Sequence, residues 1–241
     1  MPNHCENIIE FTQATTSQLD QIRHELCTYD TDKKVFELDF NKAIPQPYPM
    51  VSVAINDNII KQYSAFYHYF KDKINEDKMR EILNDNNAMI SYSDKINMMA
   101  SSFIDNWYTK EKPELTDDQI LPNWYDWNID NWGTKWNAYD TELSDTGILF
   151  YTAWESPSDE LLVAIYEKLK NILTPDQLNS MTFESREEGN GYYKFRYFSE
   201  ILKTADENKQ KERKPRSQII KDAVKRAFLS IRKVNTDDLE G

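Results

Sequence analysis

His4, Cys5, His24 and Cys27 are the residues whose types suit a soft metal, and they come as two pairs. His24 and Cys27 read as one helical turn apart, a spacing that suits zinc. His4 and Cys5 are neighbours on a strand and so point to opposite faces. That opposes a tetrahedral four-ligand site, and the expectation is buried cysteines, surface histidines and no metal. Glu184, Glu187 and Glu188 could pair as acid and base, yet carboxylates gather in a hairpin for solvation alone. His68 falls between apolar positions of a helix with no nucleophile partner. The five glycines fit neither GxxxxGK nor GxGxxG, so no phosphate loop is read. The chain is expected to be non-enzymatic and to use no cofactor.

Asp126, Asp130, Lys135 and Asp140 are the polar members of a denser feature, the stretch from Asn123 to Asp140. Five of the six tryptophans lie between Trp124 and Trp154. Burial is what tryptophan gains most from. Trp124, Trp127, Trp132, Gly133, Trp136 and Trp154 therefore read as a structural plug joining a helix to a sheet. The competing reading is a recognition surface carried by those four polar side chains.

The elements that would position them follow from periodicity. Pro122 suits a first helical position and Gly133 a left-handed cap, giving a helix from Pro122 to about Asn131. Trp136 and Ala138 lead to a strand, a turn at Asp145-Thr146-Gly147, and the β-former run Ile148–Ala153. Asn7–Phe11 reads as a strand, residues 17–27 as a helix and Val35–Phe40 as a half-buried strand. That is half of a split βαβ unit. The second half reads β, α, β, β: a helix opened by Ser156–Glu160, then strands at 181–186 and 191–197. Between the halves, residues 50–110 carry three amphipathic helices without strand signals, an inserted subdomain. The expected organisation is a discontinuous domain of residues 1–48 and 121–202, a helical insertion at 49–120, and a basic linker with an amphipathic helix at 203–241. Strand 35–40 and strand 148–153 are expected in one antiparallel sheet.

The formal net charge of -12 is unevenly spread. Residues 203–233 hold 11 basic and 4 acidic side chains, while residues 1–202 hold 18 basic and 34 acidic. The acidic body repels nucleic acid and attracts basic surfaces. The C-terminal helix carries Lys221, Lys225, Arg226 and Arg232 on its polar face, a surface for a partner or for nucleic acid. No apolar run has transmembrane length. The start lacks the basic and apolar regions of a signal peptide. With two cysteines and no disulfide framework, a reducing cytoplasmic setting is expected.

Four motifs occur in order: Met1-Pro2-Asn3-His4-Cys5-Glu6-Asn7; Asp39-Phe40-Asn41-Lys42-Ala43-Ile44-Pro45-Gln46-Pro47; Trp124-Tyr125-Asp126-Trp127 with Asn131 to Asp140; and Phe150 to Pro157. Together they resemble the YubB-like ferredoxin-fold proteins of phages, plasmids and integrated elements, over about residues 1–48 and 121–198. The resemblance implies an α+β, ferredoxin-like α/β sandwich with an antiparallel sheet, encoded on mobile DNA, and no established activity. His4 stands where that family usually has Trp, and Asn128 where Cys is common.

These lines lead to a phage or mobile-element accessory protein that binds a host protein through an acidic surface, inhibiting a defence or nucleic-acid-processing system. The alternative is a nucleic-acid-binding regulator using sheet aromatics and the basic C-terminal helix.

Overall fold

The computed structural model describes residues 3–52, 57–83, 95–189 and 191–212. The basic helix read at 219–231, with Lys221, Lys225, Arg226 and Arg232, lies outside them.

Seven strands and nine helices form in the described residues. In chain order these begin with β1 (His4–Glu10), α1 (Thr16–Leu26), β2 (Cys27–Asp30), β3 (Val35–Leu38) and α2 (Phe40–Ala43). Three helices follow, α3 (Asp57–Phe70), α4 (Glu76–Leu83) and α5 (Lys95–Glu111). Next come α6 (Trp124–Trp132), β4 (Tyr139–Ser144), β5 (Gly147–Ala153) and α7 (Asp159–Leu169). The described part closes with α8 (Pro175–Asn179), β6 (Thr182–Glu187), β7 (Tyr193–Tyr197) and α9 (Phe198–Glu212).

The main sheet runs β4-β5-β1-β6-β7, antiparallel throughout. Its order β6-β1-β5-β4, with α1 after β1 and α7 after β5, is the ferredoxin-like arrangement, and β7 is added at one edge. Strand alternation explains the layering. On β1, Cys5, Asn7 and Ile9 are buried, while His4, Glu6 and Ile8 are only partly covered. Ile9, Phe150 and Phe183 pack from the sheet against Ile22 and Leu26 of α1, Leu161, Leu162 and Ile165 of α7, and Ile201 of α9. A capping box of Thr15 and Gln18 starts α1, and Ser158 caps α7. Helices α1, α7 and α9 thus share one face of the sheet.

A second apolar cluster holds Val51, Ile60, Tyr63, Phe66, Met79, Leu83, Ile104 and Leu121. It draws on α3, α4 and α5 and on the chain that enters and leaves them. Val51 and Asn123 pair in a parallel bridge where the chain goes out and comes back.

Four expectations need correction. Residues 35–38 do not join strand 148–153; β3 pairs with β2 in a separate two-stranded sheet. Leu38 alone of β3 is buried, with Val35 and Phe36 exposed, so this strand has no apolar face to lay on the core. Residues 139–144 pair with β5 across the turn at Asp145-Thr146-Gly147, as the hairpin reading expected. Helix α1 ends at Leu26, and Cys27 opens β2 rather than sharing a helical face with His24. Pro122 precedes α6, because Asn123 holds the cap by accepting from the Asp126 N–H. Residues 203–212, read as linker, continue α9. There Phe198, Ile201 and Ala205 supply a narrow buried stripe beneath many charges.

Candidate functional site

Two of the quoted motifs close on each other as a structural knot. Asp39 caps α2 by accepting from the Asn41 N–H at 3.0 Å, and Asn137 Nδ2 donates to Asp39 Oδ1 at 2.8 Å. Asn137 Oδ1 in turn accepts from the Phe40 N–H at 2.8 Å. Gln46 Nε2 donates to Asn128 Oδ1 at 2.6 Å, and Asn128 Nδ2 donates to the Lys135 carbonyl at 2.9 Å. Asn128 is thus buried and satisfied.

Trp132 is 1% exposed and packs edge-on against Phe40 and Trp127. Its indole N–H reaches the Ile44 carbonyl at 3.0 Å. Gly133 ends α6 with φ +76, and a Cβ there would stand 2.5 Å from Ser158 N. Only glycine serves both the left-handed cap and this close approach. Asp39, Asn137, Gln46 and Asn128 were absent from the sequence-derived site. Their short polar side chains beside Trp and Pro breaks were the signal.

The four polar residues expected to share one surface separate into three places. Asp126 and Asp130 line a cleft of about 380 Å³ between α3 and α6, with Asp57 and Lys61 across it. Asp126 also accepts from Asn123 Nδ2 at 2.6 Å, so it serves the helix start. Asp140, at φ +49, lies 3.4 Å from Lys33 on the β2–β3 hairpin. Beside it, burial pushes the Glu37 carboxyl up, but the Thr141 N–H and the Lys33 ammonium outweigh that and hold it below its ordinary value.

Lys135 faces elsewhere. Its Nζ stands 4.9 Å from the Trp154 ring centroid, 5.0 Å from that of Trp136 and 5.7 Å from that of Tyr125. Trp136 is 39% and Trp154 44% exposed. The plug reading therefore holds for Trp132 and Trp127, while Trp136 and Trp154 remain at the surface. Trp124 is half-buried, edge-on to Tyr125.

The sheet face away from the helices carries a second set. Strand register aligns Tyr139, Tyr151, Glu6, Arg186 and Tyr193 in one row across all five strands. The next row is Glu142, Leu149, Ile8, Glu184 and Phe195, followed by Glu10, Thr182 and Tyr197. Tyr193, Phe195 and Tyr197 are exposed. Tyr151 donates to Glu6 at 2.9 Å and stacks with Tyr139. That hydrogen bond, then burial and the charges of Glu6, Glu188 and Glu142, raise the Tyr151 phenol above its ordinary value. His4 Nδ1 meets the Tyr139 hydroxyl at 2.6 Å. The period-two run Tyr193, Phe195, Tyr197 was the sequence signal for this face, hidden because exposed and buried aromatics read alike.

The histidines and cysteines are spread over separate places. His24 is exposed beside Glu25, His68 Nε2 meets the Gln119 carbonyl, and both cysteines are buried. No helix among the described residues is long and apolar enough to cross a membrane.

No family model matches the chain, and no curated protein matches it. Among solved structures it is similar to the protein api92 from Yersinia pseudotuberculosis, of family DUF1281. The two are 13% identical, over 82% of this chain and 95% of that one, with a TM-score of 0.34. At that score the likeness carries no inference about this chain.

Proposed function

We propose that this chain is a non-enzymatic accessory protein that holds a basic partner protein on the face of its sheet that none of the described helices covers. The observation that carries it is the composition of that face. Five aromatic rings stand among four carboxylates, Glu6, Glu10, Glu142 and Glu184, with Arg186 the one guanidinium. Tyr139 on one edge strand, Tyr193 and Tyr197 on the other, and Tyr151 beside Tyr139 give large contact area for little lost side-chain freedom. The carboxylates of Glu6, Glu10 and Glu184, on the inner strands between them, steer a basic partner and repel acidic ones. The resemblance to YubB-like proteins belongs to the same proposal, and with it a host protein of a defence or nucleic-acid-processing system as the partner, met in the cytoplasm.

Exposed Phe195, Tyr193 and Tyr197 favour a second reading, since bases stack on such rings. The surrounding carboxylates work against it by repelling phosphates.

Charge reversal on the face decides between them. Glu6→Arg with Glu142→Arg is expected to abolish capture of a basic partner that the unaltered chain holds at low salt and releases at high salt. Labelled single-stranded nucleic acid should remain free in both cases. Binding of that nucleic acid by the unaltered chain, strengthened by the reversal, would overturn the proposal.

A further inference from the structure

Lys135 is a cation without an acidic partner: among the described residues no carboxylate lies within ion-pair distance of its ammonium. Three aromatic rings surround it instead, each within the roughly 6 Å at which a ring face attracts a cation. The rings come from three segments. Tyr125 is in the first turn of α6, Trp136 in the turn before β4, and Trp154 just past β5. The planes of Tyr125 and Trp154 stand at 81°, making two walls of a corner.

Packing does not explain these rings. Trp136 and Trp154 stay exposed while Trp132, in the same motif, is fully covered. Trp154 also holds φ +79, a backbone conformation costly for an aromatic residue. Its N–H is fixed to the Asn3 carbonyl at 2.9 Å, which keeps the indole in place beyond the strand end. A strained, exposed indole and a second exposed indole, both about 5 Å from one ammonium, mark a surface built for contact.

We propose that Tyr125, Trp136 and Trp154 form a box for the methylated ammonium of a lysine side chain on a partner protein, and that Lys135 occupies this box in the free chain. Lys135 itself shows that an ammonium on a four-carbon stem reaches all three rings. Methylation keeps the charge while removing hydrogen bonds to water. A methylated head therefore loses less hydration on entry than Lys135 does, and can take its place. The acidic body, with 34 acidic and 18 basic residues in 1–202, favours a cationic visitor over an anionic one. This box is a different surface from the open sheet face and does not depend on what that face binds.

The test follows the indole N–H signals of Trp136 and Trp154 by NMR while a short trimethyl-lysine peptide is added to the full chain. Lys135→Ala empties the box and should bind the peptide roughly tenfold more tightly than the unaltered chain. The unmethylated peptide should bind more weakly, and tetramethylammonium should compete with the methylated one. Adding Trp154→Ala to Lys135→Ala should abolish the binding. Because that indole is exposed, the double variant is expected to keep its thermal melt, which is measured alongside. No gain on removing Lys135, no competition by tetramethylammonium, or binding that survives Trp154→Ala would each overturn the proposal.

Discussion

Asn137 and Asp39 stand 98 positions apart in the chain and 2.8 Å apart in space. The contact joins the turn before β4 to the cap of α2, and Asn137 uses its oxygen on the Phe40 and Ala138 N–H groups at the same time. Asn137→Ala strands these groups together. The expected loss is about 2–3 kcal/mol, the cost of leaving partly buried polar groups unpaired. Urea denaturation measures it, and a loss below about 0.5 kcal/mol would mean that water replaces the side chain.

Trp132 and Trp136 lie four residues apart and should lose very different amounts of stability on the same substitution. Trp132→Ala empties a site lined by Phe40 and Trp127 and frees the Ile44 carbonyl, so about 3–5 kcal/mol is expected to be lost. Trp136→Ala removes a ring that is 39% exposed and should cost less than about 1 kcal/mol. Equal losses for the two variants would place Trp136 in the core and count against the box around Lys135.

Cys27 gives the alkaline limit. Burial raises its thiol from the ordinary value of 9.0 to about 11, against the downward pull of Lys42 and Arg23. The folded chain therefore keeps a proton that the unfolded chain releases. Its contribution to stability is complete below about pH 9 and is lost as pH rises toward 11. Cys27→Val should flatten that part of the stability curve, measured by thermal melts across pH 8–11. In the intact fold at pH 8, thiol reagents should label neither cysteine at the rate of the unfolded chain.

The sandwich was legible because strand alternation, helix periodicity and the Gly133 cap all pointed one way. Strand β3 misled because Val35–Leu38 alternates as a half-buried strand does, and only the partner decides which sheet receives it. Helix α9 was hidden by composition: its buried stripe is three residues wide in a run of Lys and Glu. The site was harder still. Lys135 and the tryptophans were readable as a group, but nothing in their spacing separates buried Trp132 from exposed Trp136. Between them the chain turns at Gly133, whose backbone packs against Ser158.

The bridge between Val51 and Asn123 has a consequence for how this chain changes over generations. Where the polypeptide leaves the sandwich and where it returns are hydrogen-bonded neighbours, through Val51 N–H to Pro122 and Trp124 N–H to Val51. Among the described residues between them, Ile60, Tyr63 and Phe66 of α3, Met79 and Leu83 of α4 and Ile104 of α5 share an apolar cluster with Val51 and Leu121. A recombination event that exchanges the sequence between these points leaves every strand pair of the main sheet in register. The length of chain between these hydrogen-bonded neighbours is thus separate from the strand order of the main sheet.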